Sequence, residues 1–135
     1  MKHIIAKLFL ITLLVSCSSP KKDMKVTVEV KNLKKGTLYL ERVQDSVLVA
    51  VDSIFLGREE AVVLQADLDH PELFYILLDR NQTNDIDNRI PFFGHAGEIS
   101  IQTTLDDYVT KAEVSGSPTQ EIYNAYLRVI RQFNN

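Results

Sequence analysis

Across residues 24–31 the chain alternates without a break, with Met24, Val26, Val28 and Val30 on the even positions and Lys25, Thr27, Glu29 and Lys31 on the odd. A two-residue period sends successive side chains to opposite faces of an extended strand, so one face here is built for burial and the other for water. Such a strand needs sheet neighbours for its backbone and a second layer for its apolar face. This stretch therefore commits the chain to a layered β architecture.

The remaining pattern extends that reading. Residues 32–36 form a turn, and residues 37–43 form a second strand with Leu38 and Leu40 on one face and Tyr39 and Glu41 on the other, so a first hairpin is expected. Residues 47–56 are richer in apolar side chains, as suits a strand buried on both sides or one that changes face at Asp52-Ser53. Gly57 punctuates it. Further strands are predicted over 60–66, 73–78, 90–93, 98–103 and 108–114, with polar breaks at 67–71 and 79–88 and a turn at 94–97. About seven or eight short strands at this spacing imply a mainly β fold, an antiparallel β-sandwich or partly open barrel.

At residue 117 the period changes. Ser117 as N-cap, Pro118 at the first helical position and Gln120 three residues after the serine make a capping-box signature. Ile122, Tyr123, Tyr126, Val129, Ile130 and Phe133 then recur at three and four, predicting a C-terminal amphipathic helix over 117–135. Its stripe either folds back onto the sheet or meets a following helix or partner. Tyr123, Tyr126 and Phe133 are the residues expected to carry a partner contact.

The first residues have a different character. Lys2 and Lys7 precede an almost wholly apolar run over 8–15, which is much shorter than the ~20 residues a membrane-crossing helix needs. Leu14-Val15-Ser16-Cys17 resembles the lipobox of bacterial lipoproteins, which implies cleavage after Ser16 and acylation of the Cys17 thiol. Cys17 is the sole cysteine of the chain, so it has no disulfide partner. The expected layout is a lipoprotein signal peptide at 1–16, a polar tether at 17–23, a β-sandwich at 24–116 and the helix at 117–135. Acyl chains on Cys17 would anchor the protein to a membrane, with two or more chains holding far more firmly than one. Ser18 follows the cysteine without the aspartate of an inner-membrane retention signal, and no acidic cluster for surface display follows it. The expected location is the bacterial cell envelope, at the periplasmic face of the outer membrane.

Without residues 1–16 the chain keeps thirteen basic and eighteen acidic side chains, a net charge of −5 with histidines neutral. That balance, with basic pairs only at Lys21-Lys22, Lys34-Lys35 and Arg128 with Arg131, argues against nucleic acid as a partner. Residues 17–135 make one domain, large enough to hold a single core without disulfide staples. With no tryptophan, a sugar-stacking platform would have to come from tyrosine and phenylalanine.

Five short motifs carry a family resemblance: Gly36-Thr37-Leu38-Tyr39-Leu40, Val51-Asp52-Ser53, Pro71-Glu72-Leu73-Phe74, Pro91-Phe92-Phe93 with Gly97-Glu98-Ile99-Ser100-Ile101, and Val114-Ser115-Gly116-Ser117. Together they resemble a β-rich domain of unknown function found in Gram-negative envelope lipoproteins, often ahead of a thioredoxin-like domain. Gly57-Arg58-Glu59-Glu60 stands where that family usually has an Asp-Gly-Lys-Phe-like hairpin. No Cys-x-x-Cys pair is present, so oxidoreductase chemistry does not carry over.

Chemistry-bearing residues are few. Asp79, Asn81, Thr83, Asp85 and Asp87 alternate like a calcium loop, but Asn84 stands where glycine is wanted and Ile90 where a bidentate glutamate is needed. Asp79, Asn81 and Asp85 are thus weak metal candidates. Asp67, Asp69 and His70, with His95 and Glu98 in another turn, offer zinc-type ligands but read as turn chemistry beside Pro71. The serines lack a nucleophile elbow, and Asp106-Asp107 reads as a turn cap. Tyr39, Phe74 and Tyr75 are the candidate ligand face. No cofactor is implied. The expectation is a non-enzymatic, lipid-anchored accessory or interaction module, with a small-ligand or glycan-binding lipoprotein as the alternative.

Overall fold

The computed structural model describes residues 23–80 and 88–133. Among the described residues eight strands form two four-stranded sheets: β1 (Met24–Lys31), β2 (Gly36–Gln44), β3 (Val47–Leu56), β4 (Ala61–Ala66), β5 (Glu72–Asp79), β6 (Arg89–Gly94), β7 (Gly97–Thr104) and β8 (Glu113–Ser115). One helix, α1 (Pro118–Phe133), follows. One sheet runs β4-β1-β7-β8 and the other β3-β2-β5-β6, so the fold is a mainly β two-sheet sandwich with no closed barrel.

The alternation in β1 does what its period requires. Met24, Val26, Val28 and Val30 are buried while Lys25, Thr27 and Lys31 face water. They meet Leu38 and Leu40 of β2, Phe74, Ile76 and Leu78 of β5, Ile90 and Phe92 of β6, and Ile99 and Ile101 of β7 in one core. Each such side chain contributes about 1.5–3 kcal/mol by leaving water, so the interface between sheets dominates stability. At Gly94 the packing leaves no room for a side chain, since an added Cβ would stand 2.5 Å from the Phe74 ring and 2.7 Å from the Met24 sulfur.

Three expectations are corrected. β1 and β2 do not form a hairpin. They lie in different sheets, because the turn through Asn32, at φ 68°, carries the chain from one layer to the other. The sandwich is not wholly antiparallel either. β1 pairs in parallel with β7, Met24 opposite Gly97 through Lys31 opposite Thr104, and antiparallel with β4. Last, the strand predicted over 108–114 shrinks to Glu113–Ser115, and Tyr108 sits in a turn. Its side chain crosses the core, donating its hydroxyl to the Ile76 carbonyl on the other sheet at 3.1 Å, while Thr103 Oγ1 donates to the Tyr108 carbonyl at 2.7 Å. Burial at this position pushes the Tyr108 phenol well above the ordinary tyrosine range.

β3 resolves the choice left open at Asp52-Ser53. It is an edge strand that changes face at a bulge, where Leu40 pairs with Asp52 and Glu41 with Ala50, leaving Val51 as the extra residue. Asp52 then ties the edges of the two sheets together, accepting the Gln65 N–H of β4 at 2.7 Å. At the far end, Asp45 and Ser46 turn the β2–β3 hairpin with φ of 50° and 66°. Two positive φ values in a two-residue loop are the type I′ pattern that matches strand twist.

Candidate interaction surface

The route into α1 is fixed by close packing. Gly116 takes φ +95°, and a Cβ there would run into the Glu98 carbonyl, so glycine is required as the chain leaves β8 beside β7. Ser117 then caps the helix, its Oγ accepting the Gln120 N–H at 3.3 Å, and Pro118 begins the first turn. The Ser117 cap and the Pro118 start are as the sequence predicts.

Gln120 does not complete the box. Its side chain is buried, and Oε1 instead accepts the Phe93 N–H of β6 at 2.8 Å while Nε2 donates to Asn124 Oδ1 at 2.9 Å. Asn124 Nδ2 donates in turn to the Val114 carbonyl of β8 at 3.3 Å. β6 is the edge of its sheet, so Phe93 would otherwise leave a backbone donor without a strand partner. The helix thus closes an open edge through two amide side chains. Tyr123 adds an edge-on contact to Phe93, with ring centroids 5.4 Å apart, and stacks with Tyr126 at 6.4 Å.

This docking decides which way the apolar stripe points. Gln120, Tyr123, Asn124 and Leu127 turn toward β6 and β8 around a cavity of about 280 Å³. Ile122, Tyr126, Val129, Ile130 and Phe133 turn away, with exposures of 73, 58, 50, 37 and 81 %. Of the three residues expected to carry a partner contact, Tyr126 and Phe133 are open and Tyr123 is half-buried on the sandwich. Each residue of the last turn and a half, from Arg128 to Phe133, is exposed, with Arg131 at the margin of that cavity.

The expected ligand face does not assemble as proposed. Phe74 is fully buried, stacked on Phe92 at 5.9 Å with the Arg42 guanidinium 5.2 Å from its ring centre, because it points inward from β5. Tyr39 and Tyr75 lie on the opposite, outer face of that sheet and are half-buried. Between them sits a group that the sequence pattern misses. Glu41 of β2 and Arg89 of β6 form a bidentate ion pair, Nε to Oε2 at 2.7 Å and Nη2 to Oε1 at 3.3 Å, with both side chains only 8 % exposed.

Arg42 is fastened at the inner face, with Nη1 3.1 Å from Glu72 Oε1 and Nη2 donating to the Asp67 carbonyl. His70, Asp69 and His95 line one cavity of about 260 Å³, so the two turns named in the sequence do meet. Asp67 and Glu98 do not line it. Among the described residues no three acidic, histidine or cysteine side chains are grouped to hold a metal ion. Asp79 closes β5, half-buried, while Asn81, Thr83, Asp85, Asp87 and Cys17 lie outside the described residues.

The fold and this surface define a two-sheet β domain whose edge is closed by a helix with its apolar side outward. By its sequence the chain belongs to a family described as Domain of unknown function (DUF4369), whose model matches residues 24–123. That span takes in both sheets and the first turn and a half of α1, through Tyr123. Neither the curated proteins nor the solved structures contain a match to the chain.

Proposed function

We propose that the protein is a lipid-anchored envelope domain without catalytic activity of its own, acting as an accessory or interaction module through the outward face of α1. The observation that carries this reading is the direction of the stripe: five large apolar side chains stand in water on a helix that its own sandwich already holds by other residues. Their exposed parts come to roughly 600 Å², at the top of the range for the largest apolar patch on a monomer. The anchor rests on Cys17 behind its apolar run, and the envelope setting on the resemblance to lipoproteins that carry such a domain ahead of a thiol-redox partner. Among the described residues no helix is long and apolar enough to cross a membrane.

Two experiments test the parts separately. Clickable palmitate should label the wild-type protein and spare Cys17→Ser; equal labelling contradicts the anchor. Affinity capture from envelope extracts should return a protein partner that Tyr126→Glu loses. Retention on a glycan array with no protein captured would support the ligand-binding alternative instead.

A further inference from the structure

We infer that the partner for the outward face of α1 is a second copy of the same chain, the two helices packing antiparallel about a two-fold axis. This rests on the interaction-module reading and names its partner.

The spacing is the first argument. Ile122, Tyr126, Val129 and Phe133 are separated by four, three and four residues, the interval that keeps a seam along one side of a helix facing another helix. Gln120, Asn124 and Leu127, which hold the sandwich, fall on nearly the opposite side at 100° per residue, so a helix laid on the seam approaches from the side away from these anchors.

The flanks are the second. In that heptad frame the positions beside the seam are Tyr123, Ala125, Ile130 and Gln132, with no charge among them. Charged flanks select an oppositely charged partner or repel an identical one. Neutral flanks leave an identical helix free to approach, and Glu121, Arg128 and Arg131 lie off the seam.

Self-complementarity and area supply the rest. An axis between Tyr126 and Val129 sets the tyrosine of each copy against the valine of the other, and Ile122 against Phe133. Each large ring then faces a smaller branched side chain, which fits an isologous contact. Two stripes of roughly 600 Å² would remove at most about 1,200 Å² from water, which reaches the lower bound of a stable specific interface. A 16-residue helix is marginal alone, and its exposed last turn and a half gains support from such a neighbour.

The test uses the full chain with Cys17→Ser, purified in detergent micelles, with protein mass taken from sedimentation equilibrium. The expected result is twice the chain mass, falling to the single mass in Tyr126→Glu and Phe133→Glu. Circular dichroism melts of those variants should retain the cooperative β transition. Spin labels fix the direction: a label at position 128 should give a short interlabel distance, and one at position 121 a distance longer by roughly 10 Å, since an antiparallel pair places those sites near and far from the axis. A single mass for the unsubstituted seam at 100 µM, or a dimer that both glutamate variants leave intact, overturns the inference. A monomer that still captures an envelope protein through Tyr126 overturns the self-pairing alone, whereas a monomer that captures nothing overturns the module reading with it.

Discussion

Replacing Arg89 by methionine strands the Glu41 carboxylate in a place that water barely reaches. The two side chains meet through contacts of 2.7 and 3.3 Å, and each is 8 % exposed. Removing one member of a buried ion pair costs about 3–5 kcal/mol, because the other must then stay charged without its partner or be forced out. A domain of this size has about 5–15 kcal/mol in all, so the single change takes a large share. Urea unfolding followed by circular dichroism reads the effect. With a slope of about 1–3 kcal/mol per molar, a loss of 3 kcal/mol moves the midpoint down by about 1–3 M at unchanged slope. Glu41→Leu with Arg89→Met should recover most of that loss, since an apolar pair of similar volume needs no compensation. If Arg89→Met shifts stability by less than about 0.5 kcal/mol, as an exposed pair would, the pair is solvated and the burial argument fails. If the double variant loses the sum of both single changes, the two side chains are not coupled.

Three further outcomes follow from particular positions. Ser46→Gly should stabilise the domain by about 1 kcal/mol or less, seen as a melting temperature a few degrees higher, because Ser46 holds φ at 66° where glycine has no Cβ to strain. Gly94→Ala should cost about 1–3 kcal/mol in the same melt, since its methyl would overlap the Phe74 ring and the Met24 sulfur. Burial holds the Tyr108 phenol protonated, so above about pH 10 the unfolded chain releases a proton that the folded chain keeps, and stability should fall as pH rises from there. Tyr108→Phe should flatten that alkaline decline while lowering stability at neutral pH through loss of the hydrogen bond to the Ile76 carbonyl.

The layered β class was legible because alternation in β1 leaves no other way to bury Val26 and Val28. The edges between layers were not. Asn32 and Leu33 look like a hairpin turn from sequence, and only the pairing of β1 with β7, more than seventy residues away, shows that the chain changes sheets there. Local pattern carries no record of a partner at that distance. The same holds for Glu41, whose alternation correctly puts it on the outer face but whose burial depends on Arg89, 48 residues later. Phe74 was misplaced because residues 73–78 are apolar at nearly every position, so period two cannot say which face is inward. For α1 the start and the stripe were both readable. Its direction was not, because it depends on Gln120 leaving the capping box to bond the Phe93 amide.

The central claim is that the outward face of α1 is the surface through which this protein works. A photoreactive benzophenone amino acid in place of Tyr126 tests it in the cell, with the same residue in place of Val63, an exposed position on β4, as control. Illumination should give a discrete adduct from position 126, a chain dimer in the self-paired case, and none from position 63. Adducts equally strong from both positions, or none from position 126, would contradict the account.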